Sequence, residues 1–144
     1  MVNKSRRKQF VLGVARNGRE NHFVANSEGA QLIPELRSIP NLVFVPKNNY
    51  SCFAKSNLLQ VLQNFNIGNV YVCGINTDYC VFATTMSSYE NQFRTYVVKD
   101  AVTTVRGREA HEEGLRNLER HFSANVFVTT DNIINTQRGR GGKP

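Results

Sequence analysis

The chain has 144 residues, of which 40% are hydrophobic, and its formal net charge at pH 7 is +7. That length suits one domain with a buried core, and no apolar run approaches the roughly 20 residues of a membrane-spanning helix. A membrane protein is therefore not expected. No secretory signal is visible, and the three cysteines are an odd number. We expect a reduced, intracellular protein, either cytoplasmic or mitochondrial.

The net charge is concentrated at the two ends of the chain. Residues 1–9 and 138–144 contain no acid and seven basic residues, which equal the whole net charge: Lys4, Arg6, Arg7, Lys8, Arg138, Arg140 and Lys143. Basic segments beside a neutral body are typical of proteins that contact RNA phosphates. Solubilising tails or a targeting segment are the alternatives. The predicted organisation is a basic N-terminal arm at 1–9, a domain at 10–134 and a basic Gly/Arg tail at 135–144.

Hydrophobic periodicity predicts alternating strands and helices within the domain. The strands are expected at about 10–14, 42–45, 70–73, 94–98 and 125–129, and the helices at about 57–65, 79–91 and 108–122. Leu115, Leu118 and Phe122 fall on one face of the last helix. Such alternation predicts an α/β fold, a Rossmann-like parallel sheet in three layers.

Lys47 follows the apolar run LVFV at residues 42–45 by two positions. In parallel α/β sheets, ligands and catalytic groups lie beyond the carboxyl ends of strands. A lysine there could hold a neighbouring thiol as a thiolate and donate a proton. A solvated lysine after a strand is the plainer interpretation.

Residues 70–81, VYVCGINTDYCV, predict a strand, a sharp turn and a helix start. The first four residues are continuously apolar, as expected for a parallel strand covered on both faces. Gly74 permits the turn, and Thr77 or Asp78 is the expected N-cap. Cys80 then falls near the first helical turn, where unpaired N–H groups and the helix dipole favour a thiolate. A buried core cysteine is the alternative.

Together these segments resemble the isochorismatase-like cysteine hydrolases, the family that includes the nicotinamidases. The resemblance covers roughly residues 28–134 and includes VVKDAVTT at 97–104, His111-Glu112-Glu113 at a helix start and NVFVTTDNII at 125–134. The central positions in register are Lys47, Ser51, Phe53, Ser56, Asn57, Leu58, Gly74, Thr77, Asp78, Cys80 and Val81.

This resemblance implies a function for several of the matched residues. Cys80 would be the nucleophile that attacks a small amide and forms a thioester, with Lys47 as its charged partner. A cis peptide would join Ile75 and Asn76, so that the N–H groups of Asn76 and Cys80 face the oxyanion. The pocket would be lined by Tyr50, Phe53 and Tyr79. No cofactor and no metal site is expected.

One catalytic residue of the family has no counterpart. The family carries an aspartate at the end of its first strand, whereas the first acid of this chain is Glu20. Either the run FVLGV at 10–14 is the second family strand and the first is missing, or it replaces the first, with Ala15 or Arg16 where the aspartate belongs. The family's metal ligands also lack a counterpart, since His22 is a lone histidine. The resemblance thus implies an N-terminally shortened fold with an incomplete triad.

Two functions follow from these observations. The first is a cysteine hydrolase of small amides, whose aspartate is supplied by residues outside this sequence or by a partner chain. The second is an inactive pseudoenzyme that serves as a structural, RNA-contacting subunit of a ribonucleoprotein assembly, such as a mitochondrial ribosome. Lys47 and Cys80 favour the first, whereas the missing acid and the basic ends favour the second.

Overall fold

The computed structural model describes residues 9–14, 28 and 31–139 of the chain. A π-helical turn (Thr77–Val81) precedes the third helix, and a 3-10 turn (Ala124–Val126) precedes the last strand. The strands are β1 (Gln9–Val14), β2 (Leu42–Lys47), β3 (Asn69–Ile75), β4 (Arg94–Thr103) and β5 (Phe127–Val128). The helices are α1 (Pro34–Arg37), α2 (Leu58–Asn64), α3 (Phe82–Glu90), α4 (Arg108–Phe122) and α5 (Thr130–Gly139).

All strand pairs in the described part of the chain are parallel. The predicted Rossmann-like α/β fold, with helices packed against parallel strands, is confirmed. The strands form two sheets, however, in the orders β1-β2 and β3-β4-β5. No described strand pairing joins one sheet to the other, so the single sheet expected from the sequence is not continuous here.

Two apolar clusters stabilise the two sheets. The first lies beneath β3 and β4 and consists of Val72, Val81, Val97, Val102, Leu118 and Val126, with Leu115 and Phe122 packed against it. The apolar face predicted for the last helix is therefore confirmed. The second cluster, beneath β2 and α2, consists of Val45, Cys52, Leu58 and Leu62. Val70 packs against both clusters and so connects them.

The structure differs from the sequence predictions in two respects. β3 is covered on one face only: Val72 is buried, but Tyr71 is 45% exposed and Cys73 is also exposed. The prediction of a strand covered on both faces is therefore wrong. The helices α1 and α5 were not predicted, and α5 continues to Gly139, past the predicted domain boundary at residue 134. None of the described helices is both long and apolar enough to cross a membrane.

Candidate active site

Cys80 lies in the π-helical turn that connects β3 to α3. Gly74, near the end of β3, has a φ of +110°, a backbone conformation that favours glycine. The Ile75–Asn76 peptide that follows is cis, as the resemblance implied. The Asn76 carbonyl then accepts hydrogen bonds from the N–H groups of Tyr79 (3.1 Å) and Val81 (3.0 Å). These bonds close the turn and leave Cys80 half-buried within it.

The predicted N-cap of this turn is wrong. Asn76 occupies the cap position, and its side chain makes no capping hydrogen bond. The Thr77 hydroxyl is instead hydrogen-bonded to His111 Nδ1 at 2.9 Å. Asp78 accepts one hydrogen bond from Thr104 at 2.9 Å and another, charge-assisted, from Arg106 at 2.6 Å. Both side chains therefore attach the turn to distant segments.

Lys47 ends β2 and is only 4% exposed. Its Nζ donates to the carbonyl oxygens of Asn49 (2.8 Å) and Tyr50 (3.0 Å), so the loop after β2 folds around the ammonium group. A charge this buried needs such partners, because desolvation is costly. The solvated-lysine interpretation is therefore wrong.

Three contacts join the loop after Lys47 to the Cys80 turn and to α3, the helix that follows it. Tyr50 and Tyr79 stack with their ring centroids 5.4 Å apart. The Cys52 N–H donates to the Thr84 hydroxyl at 3.1 Å. The Ser51 hydroxyl, one residue before Cys52 in the loop, donates to the Ser87 hydroxyl in α3 at 2.8 Å. The segments that carry the predicted nucleophile and its charged partner therefore meet.

The pKa of the Cys52 thiol is affected by groups from both segments. Burial raises the pKa of the Cys52 thiol, whereas the Thr84 hydrogen bond and the Lys47 ammonium oppose that rise. Cys80 also acts on the same thiol. Lys47 and Cys80 thus both lie within electrostatic reach of the buried Cys52 thiol.

The three predicted pocket residues do not share one environment. Tyr50 and Tyr79 are 45% and 41% exposed, and the Arg106 guanidinium lies 5.1 Å from the Tyr79 ring centroid. These two tyrosines form a half-exposed stacked pair, and Tyr79 directly precedes Cys80 in the chain. Phe53 instead packs against the second apolar cluster and lies 6.0 Å from the ring of Phe93. Its contribution to a pocket stays a prediction, as does that of the tyrosines.

Some of the predicted residues lie outside what the structure describes. These are Lys4, Arg6, Arg7, Lys8, Arg140, Lys143, Ala15, Arg16, Glu20 and His22, together with the side chain of Arg138. Within the described ranges, no cluster of three His, Cys, Asp or Glu side chains could hold a metal ion. The described residues therefore include no set of side chains that fits a metal ion, and the chemistry proposed below uses none.

Sequence reasoning assigned no role to several residues that hold the site. Thr84, Ser87, Thr104 and Arg106 carry no local signal, because their partners lie 26 to 36 residues away along the chain. His111 was noted only as part of a helix start. The one available hint that His111 contacts Thr77 was that both positions belong to the family pattern.

Comparison with known proteins identifies the family. The isochorismatase domain matches residues 7–131. The chain belongs to the isochorismatase family. It is 30% identical over 112 residues to the isochorismatase family protein PncA of Bacillus subtilis, covering 73% of this chain and 61% of that protein. It is 33% identical over 104 residues to the ureidoacrylate amidohydrolase RutB of Pseudomonas savastanoi, covering 69% of this chain and 42% of that protein.

The structural comparison agrees with the family assignment. The crystal structure of an isochorismatase-like hydrolase from Alkaliphilus metalliredigens superposes with a TM-score of 0.81 and 27% identity, covering 90% of this chain and 72% of that one. The predicted family and its α/β fold are thus confirmed. The chain spans 61% and 42% of the two relatives named above.

Proposed function

We propose that this chain is an isochorismatase-like hydrolase domain that attacks the carbonyl carbon of a small amide through Cys80. The observation that carries the proposal is the meeting of two segments: the Cys80 turn and the loop that buries the Lys47 ammonium. The stacking of Tyr50 on Tyr79 holds them together beside a half-exposed thiol. RutB, a relative, is named as an amidohydrolase.

The nucleophile of the proposed chemistry is the sulfur of Cys80, which must lose its proton to act. Its attack forms a C–S bond, and the N–H groups of Asn76 and Cys80 donate to the oxygen that becomes negative. The C–N bond then breaks, and the amine leaves with a proton. Water hydrolyses the resulting thioester, releasing the carboxylic acid and restoring the thiol.

Turnover also needs a group that moves protons between the thiol, the leaving amine and water. Asp78 is the acid nearest to Cys80 in sequence, but its two oxygens accept from Thr104 and Arg106. We therefore propose that this chain alone is a poor hydrolase. A partner chain would supply the acid.

The test is an assay of the purified chain against nicotinamide, ureidoacrylate and related small amides, with ammonia release as the measurement. We expect turnover far below the usual range of roughly 1–1000 per second. Cys80→Ala removes the nucleophile and serves as the background control. Turnover in the usual range, lost in Cys80→Ala, would show that a group in this chain replaces the aspartate. The absence of any Cys80-dependent product from every amide would count against the hydrolase.

The charge distribution favours a second candidate function. The residues that account for the net charge of +7 lie at the two ends, whereas the remainder of the chain is neutral. This pattern supports a pseudoenzyme that contacts RNA within a ribonucleoprotein, because basic residues that neutralise phosphates release counterions. Such a protein would keep the family fold without using its chemistry.

Binding of fluorescent single-stranded RNA across a salt series tests the second candidate. Seven basic residues give a limiting log–log slope of roughly −5, from about −0.7 for each phosphate contact. Removal of residues 1–8 and 140–144 should flatten that slope, leaving only what Arg138 contributes. Lys55→Gln and Arg108→Gln, at exposed positions of the body, form the matched control. Equal binding by the shortened chain would refute the RNA-contacting ends.

A further inference from the structure

Helix α4 approaches the Cys80 turn very closely. Gly114 is buried in α4, and a Cβ atom added there would lie 3.0 Å from the Asp78 backbone nitrogen and 3.1 Å from its Cα. It would also lie 3.1 Å from Thr77 Cγ2. Real Cβ contacts this short are rare, so a side chain at position 114 would require the helix and the turn to move apart by a few tenths of an ångström.

One turn earlier on the same helix, His111 forms a hydrogen bond with the turn. Its Nδ1 lies 2.9 Å from the hydroxyl of Thr77, a residue with no exposed surface. A hydroxyl buried this deeply requires a partner inside the protein. His111 and Gly114 therefore fix Thr77 and Asp78 from one face of α4: the first by a hydrogen bond, the second by close packing.

The turn that His111 and Gly114 hold in place carries the Cys80 thiol and the backbone N–H groups around it. Thr77 directly follows Asn76 and lies three residues before Cys80. A displacement of Thr77 would therefore move the thiol and the N–H groups around it. We propose that His111 is a positioning residue that acts through Thr77 to orient the Cys80 turn, with Gly114 setting the distance between helix and turn. This inference rests on the proposed role of Cys80 as the nucleophile.

The test compares Cys80 alkylation in variants of the full chain. Iodoacetamide is added in limiting amount over a range of pH, and the rate at Cys80 is read by peptide mass spectrometry. His111→Ala should slow alkylation about tenfold, short of the ~100-fold that a misplacement of roughly 1 Å can cost a reacting group. His111→Asn places an amide near the former Nδ1, so it should retain the rate to within about threefold.

A matched control and a second pair of variants separate positioning from general damage. Glu119→Ala alters an exposed residue two turns along α4 and should leave the Cys80 rate unchanged. Thr77→Val removes the hydroxyl that needs His111, so adding His111→Ala to it should slow the reaction little further. Gly114→Ala should also slow Cys80, because the helix must move away from the turn.

Rates are taken as ratios to the unaltered chain, so they are informative whether or not it hydrolyses amides. A His111→Ala variant that loses stability but keeps the Cys80 rate and its pH profile would overturn the proposal. If that variant does not fold, His111→Asn and Thr77→Val decide: equal slowing by both would also contradict it. Failure of the amide assay with preserved rate ratios would count against the hydrolase and leave the positioning role standing.

Discussion

Cys80 and Lys47 are held in place in two different ways. Around Cys80, the contacts join residues that are far apart in the chain. Thr77 is hydrogen-bonded to His111, 34 residues away, and Asp78 accepts a hydrogen bond from Arg106, 28 residues away. Lys47 is held by the carbonyl oxygens of residues only two and three positions further along the chain. The first arrangement depends on the packing of α4, whereas the second depends on a local loop.

The Cys80 turn is therefore expected to be the part of the site that is more easily disturbed. Local hydrogen bonds can form wherever β2 and its loop are intact, because they close small rings. The Cys80 turn acquires its partners only when α4 and the segment at 104–106 have reached their final positions. We therefore expect the geometry of Cys80 to respond to changes in the α4 core, and that of Lys47 to respond less.

Truncation of buried leucines in the two apolar clusters should change stability more than any other substitution considered. Leu118, on α4, has no exposed surface, whereas Leu62, in the second cluster, is 4% exposed. Leu118→Ala should lower the free energy of unfolding by about 2–5 kcal/mol, and Leu62→Ala should lie at the low end of that range. Urea denaturation measures both.

Val105→Ala is the control for these truncations. The Val105 side chain is 78% exposed, so this substitution should change the free energy of unfolding by no more than about 0.5 kcal/mol. An equal cost for Leu62→Ala would contradict the prediction, and a larger cost would mean that the second cluster contributes more to stability than the cluster around α4.

Cysteine labelling tests the site itself. Burial protects Cys52 and raises the pKa of its thiol. Cys73 is exposed as a residue, yet desolvation around its sulfur raises the pKa of that thiol too. Cys80 should therefore be alkylated first, by a margin of about tenfold, because the thiolate is the reactive form. Limited iodoacetamide treatment with peptide mass spectrometry gives the three rates.

A pair of lysine variants identifies the cause of that selectivity. Lys47→Met should slow Cys80 labelling, whereas Lys55→Met, at an exposed position of the following loop, should not. Faster labelling of Cys73 or Cys52 than of Cys80 would contradict the prediction. It would show that the turn does not activate its thiol.

The smallest expected effect concerns the C-terminal boundary of the domain. The exposed Asp100 accepts hydrogen bonds from the Thr130 hydroxyl and N–H at the start of α5, and these lower the pKa of its carboxyl group. A lowered pKa in the folded state stabilises the protein above the usual aspartate pKa, and this contribution disappears as the pH falls. Asp100→Asn should therefore lower Tm slightly at pH 7.

Acidification provides the check on this effect. The difference in Tm between Asp100→Asn and the unaltered chain should shrink as the pH falls below the usual aspartate pKa of about 4, and vanish once the carboxyl group is protonated in the folded state as well. Glu119→Gln removes an exposed carboxylate from α4 and is the charge-matched control. An unchanged Tm at pH 7 would indicate that α5 adds nothing to the stability of the domain.

Much of the fold could be predicted from local patterns. Five apolar runs became strands and the amphipathic segment at 108–122 became α4, because periodicity reports directly which residues a helix or strand can bury. The shortest helix, α1, and the polar α5 lack a strong apolar period and were missed. The N-cap prediction failed because a threonine or aspartate near a helix start is equally able to bond elsewhere.

The family, the order of strands and helices, and the two residues on which the proposed chemistry rests could all be predicted from the amino-acid sequence. Cys80 and Lys47 were identified because each follows a strand in a motif of many matched positions. The burial of Lys47, the exposed face of β3 and the hydrogen bond between Thr77 and His111 became known from the structure alone. Hydrophobic periodicity shows which face of a single helix or strand can be buried. The hydrogen-bond partner of a polar side chain depends instead on which helices and strands pack together.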